Sequence, residues 1–347
     1  MASRVEEITA RLRRIEAGTS TLGLMSLTMG LEDKYSKVAA GRLSTTSLLE
    51  HRVYARENDK EAILQLLLSD EGNQEPYSVI PIVGMGGIGK TTLARLIYND
   101  DKLKGRFGLK AWVCVSEDFD VHRITRAILE QVHTENCDKK ELTPLQERLK
   151  DKLSGQKFLL VLDDIWNEDY ELWENLQRPF LRGAPGSKII ITTRSENIGK
   201  MMRGNDRVHH LSLLEDDACL SLFAQHILGA ENFDAYPDLK GVGEKIVEKC
   251  KRLPLAIKTL GGLLRGKANH AEWENILNSE IWDLTAGNGS ILPALKLSYN
   301  HLPSHLKRCF GYCSIFPKDY EFDEGELVLL WMAEGLLQQQ PQRTKKV

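Results

Sequence analysis

Val79-Ile80-Pro81-Ile82-Val83-Gly84-Met85-Gly86-Gly87-Ile88-Gly89-Lys90-Thr91-Thr92-Leu93-Ala94-Arg95-Leu96 is the stretch on which the fold turns. Its centre, residues 84–91, matches G-x-x-x-x-G-K-[ST] in full. The apolar run before it reads as a buried strand and the segment after it as a helix, the setting a phosphate-binding loop requires. Glycine-rich backbone lets successive N–H groups of Gly84, Gly86, Gly87, Ile88 and Gly89 turn inward toward phosphate oxygens. The helix that starts near Lys90 aims the positive end of its dipole at the same anion. Lys90 reaches the β- and γ-phosphates, the Thr91 hydroxyl is a ligand for Mg²⁺, and Thr92 lies next to it at the helix start.

Working outward, short apolar runs recur at 77–83, 109–115, 158–162, 189–192 and 208–213. Helical patterns at 91–98, 124–133, 145–153 and 172–180 separate them. Continuous apolar strands alternating with helices predict an α/β fold, a parallel sheet with helices on both faces. Strand carboxyl ends then share one ligand edge. There Lys157–Leu162 runs into Asp163 and Asp164. Asp163 is placed for Mg²⁺, and Asp164 either orients an attacking water or serves as a turn residue. Arg194, which ends Lys188–Thr193, reads equally as a phosphate sensor or as a surface ion pair.

Past Leu214 the strand signal fades, and 218–228, 239–250, 255–264 and 271–277 read as helices. A further mostly helical block starts near Ile291. In it Leu329, Leu330, Trp331, Leu336 and Leu337 form an apolar stripe expected to lie in the core rather than at a partner site, or to be exposed where the chain is truncated. Near the start, Val5, Ile8, Leu12 and Ile15 form a two-heptad seam, too short for an independent coiled coil, and 17–50 reads as a linker.

The 347 residues carry a net charge of −3, without the basic excess of a general nucleic-acid binder, so no specific nucleic acid is expected. Six cysteines spread through apolar segments point to a reduced, cytoplasmic or nuclear chain. Cys309 and Cys313 lack a second pair at zinc spacing and read as two buried thiols on one helix face. His209-His210 reads as strand surface. No apolar run approaches the ~18 residues of a membrane span.

Several ordered blocks together resemble the nucleotide-binding (NB-ARC) module of plant coiled-coil nucleotide-binding leucine-rich-repeat disease-resistance proteins. They are Val53-Tyr54-Ala55-Arg56-Glu57, Phe107–Asp120, Leu159–Trp166 with its Asp-Asp-x-Trp ending, Gly186–Arg194, Leu253-Pro254-Leu255-Ala256 and Cys309–Tyr320. The resemblance spans about 44–338. It implies a P-loop domain over 51–214, a helical domain over 215–286 and an incomplete winged-helix domain over 287–347, after a remnant of the coiled-coil domain and linker over 1–50. It further implies that Pro254 packs on adenine and that Arg56 and Val53 line the base pocket. ADP holds the resting form in this family, and ATP opens it for assembly into a homo-oligomer or with other immune-signalling proteins.

Two positions depart from the family pattern: Ala55 and Arg252 both stand where glycine is usual. If either needs positive φ, strain of about 1–2 kcal/mol follows. The chain is also expected to be a truncated product, ending before the Met-His-Asp motif and the leucine-rich repeats.

Three functions compete. An ADP/ATP switch with slow hydrolysis is favoured by Asp164 where motor ATPases usually place a glutamate. A turnover ATPase of the motor or clamp-loader class and a degenerate interaction fragment are the alternatives. A GTPase is disfavoured, because no Asn-Lys-x-Asp motif occurs.

Overall fold

The computed structural model describes residues 55–69, 75–116, 119–132, 141–203, 208–267, 269–283, 293–316, 320 and 322–337. The chain divides between Ser47 and Leu48, and every described residue lies in the second part. The heptad helix, the linker and Val53 fall outside the described residues.

Five parallel strands form one sheet in the order β2-β3-β4-β1-β5. They are β1 (Tyr77–Val83), β2 (Leu109–Ser116), β3 (Phe158–Ile165), β4 (Ser187–Thr193) and β5 (His209–His210). Side chains alternate across the sheet. Ile80, Ile82, Trp112, Leu159, Val161 and Ile190 face one core with α1 (Glu57–Leu68) and α2 (Lys90–Tyr98). Val79, Val113, Leu160, Leu162, Ile189 and Ile191 face the other. That second core is completed by α3 (Val121–Val132), α4 (Leu142–Leu153), α5 (Tyr170–Gln177) and α6 (Glu196–Arg203). The predicted doubly covered parallel sheet is present, with β1 between β4 and β5.

The strand expected over 208–213 contracts to two residues. Leu211 N–H still reaches the Val83 carbonyl at 2.8 Å, but Leu211 and Leu214 then bury at a spacing of three, which a strand's period of two does not allow. They enter the core shared with α7 (Asp216–Leu228), α8 (Pro237–Lys249), α9 (Pro254–Leu264), α10 (His270–Leu277) and α11 (Pro293–His301). An aromatic triad centres this helical part. Trp273 meets Phe223 at 5.8 Å and Phe233 at 6.1 Å, both edge-on, and its indole N–H donates to the Lys267 carbonyl at 2.9 Å.

The last described helices are α12 (Ser304–Cys313) and α13 (Glu324–Ala333). The apolar stripe of α13 does not form a core among the described residues: Leu329 is 65% exposed and no residue of the helix is buried. Leu327 through Met332 are consecutive and therefore circle the helix, so no single face can bury them together. Cys309 is buried whereas Cys313 is only half-buried, its thiol donating back to the Cys309 carbonyl at 3.4 Å. The described cysteines are free thiols. No helix among the described residues is long and apolar enough to cross a membrane.

Ala55 and Arg252 both adopt left-handed backbone, with φ of 48° and 57°. The strain conditional on positive φ therefore applies at both, about 1–2 kcal/mol each. Arg252 recovers part of it through an exposed ion pair to Asp216 at 2.6 Å. Ala55→Gly is expected to raise unfolding stability by about 1 kcal/mol, and Arg252→Gly by less, since it also loses Asp216. Trp273→Ala is expected to cost about 3–5 kcal/mol and Trp273→Phe clearly less. Urea unfolding of the purified chain checks all four values.

Candidate functional site

The loop between β1 and α2 forms the centre of the site. Gly84 N–H donates to the Thr193 carbonyl at 3.3 Å, which fixes the loop to the end of β4. Gly89 takes the N-cap of α2 at φ 106°, and no side chain caps the helix. First-turn N–H groups therefore keep their capacity for an anion. Gly87, at φ 79°, is required for a second reason: a Cβ there would stand 2.6 Å from the Leu255 Cβ.

That close approach reflects a bond. Leu255 N–H, in the first turn of α9, donates to the Gly87 carbonyl at 3.1 Å. From the other side the Arg56 guanidinium donates to the Ile88 carbonyl at 3.0 Å and pairs with Asp59 at 3.1 Å. Asp59 in turn holds His209 Nε2 at 2.9 Å. His210 is exposed as expected, but His209 is part-buried and paired rather than loose on the strand surface.

Lys90 is 7% exposed, and its ammonium donates to the Gly84 and Met85 carbonyls at 2.7 and 3.0 Å. Burial and then the nearby Arg194 cation push its pKa down to about 8, against the pull of Asp164 and Asp163. A buried cation at the uncapped N-terminus of a helix is a built anion site, and the residues present fit a nucleotide phosphate chain, although the Gly84 and Ile88 amides expected to face it are bonded to the Thr193 and Met85 carbonyls.

Asp163, 5% exposed near the end of β3, accepts from Thr91 Oγ1 at 2.9 Å and from Thr192 Oγ1 at 2.5 Å. Burial raises its pKa, and the two hydroxyls act against that rise. Thr192 Oγ1 also accepts the Asp164 N–H at 2.8 Å, and Asp164 itself is left-handed at φ 56°. A threonine hydroxyl beside a carboxylate supplies the hard oxygens that suit Mg²⁺.

Arg194 follows β4 directly, its guanidinium carbon 4.3 Å from the Trp166 ring centroid. A Cβ on Gly86 would stand 3.0 Å from that carbon. The structure thus brings together Gly84 through Thr91, Asp163, Asp164, Arg194 and Arg56. Thr92 is half-buried on α2, and Pro254 opens α9 beside Leu255. Sequence reasoning missed Thr192, Leu255, Asp59 and the stacking role of Trp166, because each acts through a partner distant in the chain. For Thr192 a signal existed: a threonine near the end of an otherwise apolar central strand.

The model for the NB-ARC domain matches residues 56–232, and that for the disease resistance protein winged helix domain matches 315–347. A putative disease resistance RPP13-like protein 1 of Arabidopsis thaliana is 45% identical over 342 residues, covering 98% of this chain and 32% of its own length. Disease resistance protein RGA2 of Solanum bulbocastanum is 43% identical over 309 residues, covering 88% and 32%. This chain thus spans about a third of the length of the curated relatives it matches. Among solved structures, Cdc6p from Pyrobaculum aerophilum shares the fold at a TM-score of 0.50 and 14% identity, over 77% of this chain and 76% of that one. Together with the loop geometry, these matches show that the chain belongs to the NB-ARC family of plant disease-resistance proteins and carries its adenine-nucleotide-binding P-loop domain.

Proposed function

We propose that this chain is an ADP/ATP switch of a plant intracellular immune receptor, one that binds nucleotide tightly and hydrolyses it slowly. The observation that carries this reading is the pair of bonds on consecutive loop carbonyls, Arg56 to Ile88 and Leu255 to Gly87. Phosphate occupancy that shifts the loop must strain or release both, and so reports on α1 and α9. A motor needs the loop to recycle quickly; a switch needs it tied to the body it controls.

In this reading the loop of Gly84, Gly86, Gly87, Ile88 and Gly89, whose Gly84 amide is held by Thr193 and whose Ile88 amide is held by Met85, wraps the phosphates together with Lys90, Thr91 and Thr92. Thr91 and Asp163 would hold Mg²⁺, which when bound would neutralise phosphate charge. Asp164 orients water, Arg194 senses the terminal phosphate, and Val53, Arg56 and Pro254 form the base pocket. The P-loop, helical and winged-helix parts divide near 214 and 286, and the switch works in the cytoplasm or nucleus through self-assembly or other immune-signalling proteins.

The test is the nucleotide carried through purification and the steady-state rate. ADP is expected to co-purify in near-stoichiometric amount with wild type and to be absent from Lys90→Ala. Fast multiple turnover abolished by Lys90→Ala would instead support the motor alternative.

A pH effect follows from Lys90. Its charged form binds phosphate, and its pKa of about 8 in the free protein lies below the ordinary lysine value. Bound phosphates raise that pKa, so binding above pH 8 takes up a proton. ADP affinity is expected to fall as pH rises from 8 to 9.5, by up to about tenfold per unit. The free protein shows the opposite sign. The folded state holds fewer protons than the unfolded one above pH 8, so the cost of burying the charge is present below that pH and is relieved as pH rises. Titration calorimetry with ADP and thermal unfolding of the free protein measure the two trends separately.

A further inference from the structure

Trp166 ends the run Asp163-Asp164-Ile165-Trp166. It is 36% exposed, which is unusual for so large an apolar ring beside a buried strand. Its ring lies under Arg194, and the same guanidinium lies beside Gly86 of the phosphate loop, 3.0 Å from where a Cβ would stand. A long arginine side chain in such a place samples many rotamers unless a contact retains it there.

An aromatic face is well suited to that retention. It attracts a guanidinium through its quadrupole, yet leaves the in-plane N–H donors available for phosphate oxygens. A carboxylate would hold the arginine by those same donors and compete with the phosphate.

We propose that Trp166 is a positioning residue that parks the Arg194 guanidinium against the phosphate loop, where it is pre-placed for the terminal phosphate of a nucleoside triphosphate. This rests on the reading of Arg194 as the phosphate sensor. Pre-placement saves the rotamer freedom that a long arginine side chain otherwise loses on binding. It favours triphosphate over diphosphate, because only the former presents the group Arg194 awaits.

The experiment compares Mg²⁺ with a non-hydrolysable ATP analogue and with ADP, by titration calorimetry, on the whole chain. Trp166→Leu keeps an apolar side chain but removes the π-face, and Trp166→Phe keeps the face. Trp166→Leu is expected to weaken the ATP analogue about two- to fivefold, with ADP binding unchanged. Trp166→Phe is expected to restore most of the difference. Wild-type tryptophan fluorescence should respond differently to the analogue and to ADP, and Trp166→Phe should lose that difference. Arg194→Gln calibrates the test. If it lowers the analogue-to-ADP preference and Trp166→Leu does not, the role of Trp166 is overturned while Arg194 keeps its own. Equal losses in Trp166→Leu and Trp166→Phe, or equal weakening of both nucleotides, would mean a merely structural tryptophan and overturn the proposal. If Arg194→Gln leaves the preference unchanged, both readings fall together.

Discussion

Keeping the Lys90 ammonium inside the mouth of a parallel sheet is costly, and the neighbouring structure is arranged around that cost. Its hydrogen bonds go to the Gly84 and Met85 carbonyls, so the loop folds back over the side chain instead of leaving it in water. The loop can do so only because β1 delivers it at the sheet edge and Gly84 is tied to Thr193 on the next strand. Asp163 and Asp164 stand close enough to favour the charged lysine, and Arg194 close enough to oppose it. A phosphate chain is the partner that relieves burial and repulsion together. The site is thus preorganised by an imbalance of charge that its ligand corrects.

The same imbalance explains why the carboxylates are so heavily restrained. Asp163 is nearly buried, and burial alone favours its protonated form. Two threonine hydroxyls, one from α2 and one from β4, donate to a single oxygen and hold the charge in place. Thr192 also receives the Asp164 amide, so the left-handed turn at Asp164 and the orientation of Asp163 are set by one hydroxyl. The metal-side chemistry therefore depends on β4 as much as on β3, which carries the carboxylates.

Much of this was legible in the residues, and the limits follow a physical line. The β1–β4 strands could be read because parallel strands buried on both faces are continuous apolar runs bounded by turn residues. The last strand is read too long, over 208–213 where β5 is His209–His210, because Leu211 and Leu214 answer to a helical core that no local window contains. The α13 stripe was misjudged for a related reason: composition shows that a helix is apolar but not whether a surface is there to receive it. Within the site, Lys90 and Thr91 belong to a motif whose chemistry is local. Thr192, Leu255 and Asp59 act across 29, 168 and 150 residues of chain, on Asp163, Gly87 and His209 respectively. Those contacts exist only once the sheet has fixed its register.

Strain in the backbone has a similar placement. Ala55 immediately precedes Arg56, which bonds to Ile88, and Arg252 lies three residues before Leu255, which bonds to Gly87. Each strap that reaches the phosphate loop thus passes through a left-handed residue with a Cβ. A cost of about 1–2 kcal/mol at each is comparable to the net worth of the single hydrogen bond it delivers. The strain at each residue thus offsets much of what that one hydrogen bond contributes. Glycine at either position would remove the strain. The departures from glycine at Ala55 and Arg252 therefore bear on how firmly these two connections hold the loop as well as on stability.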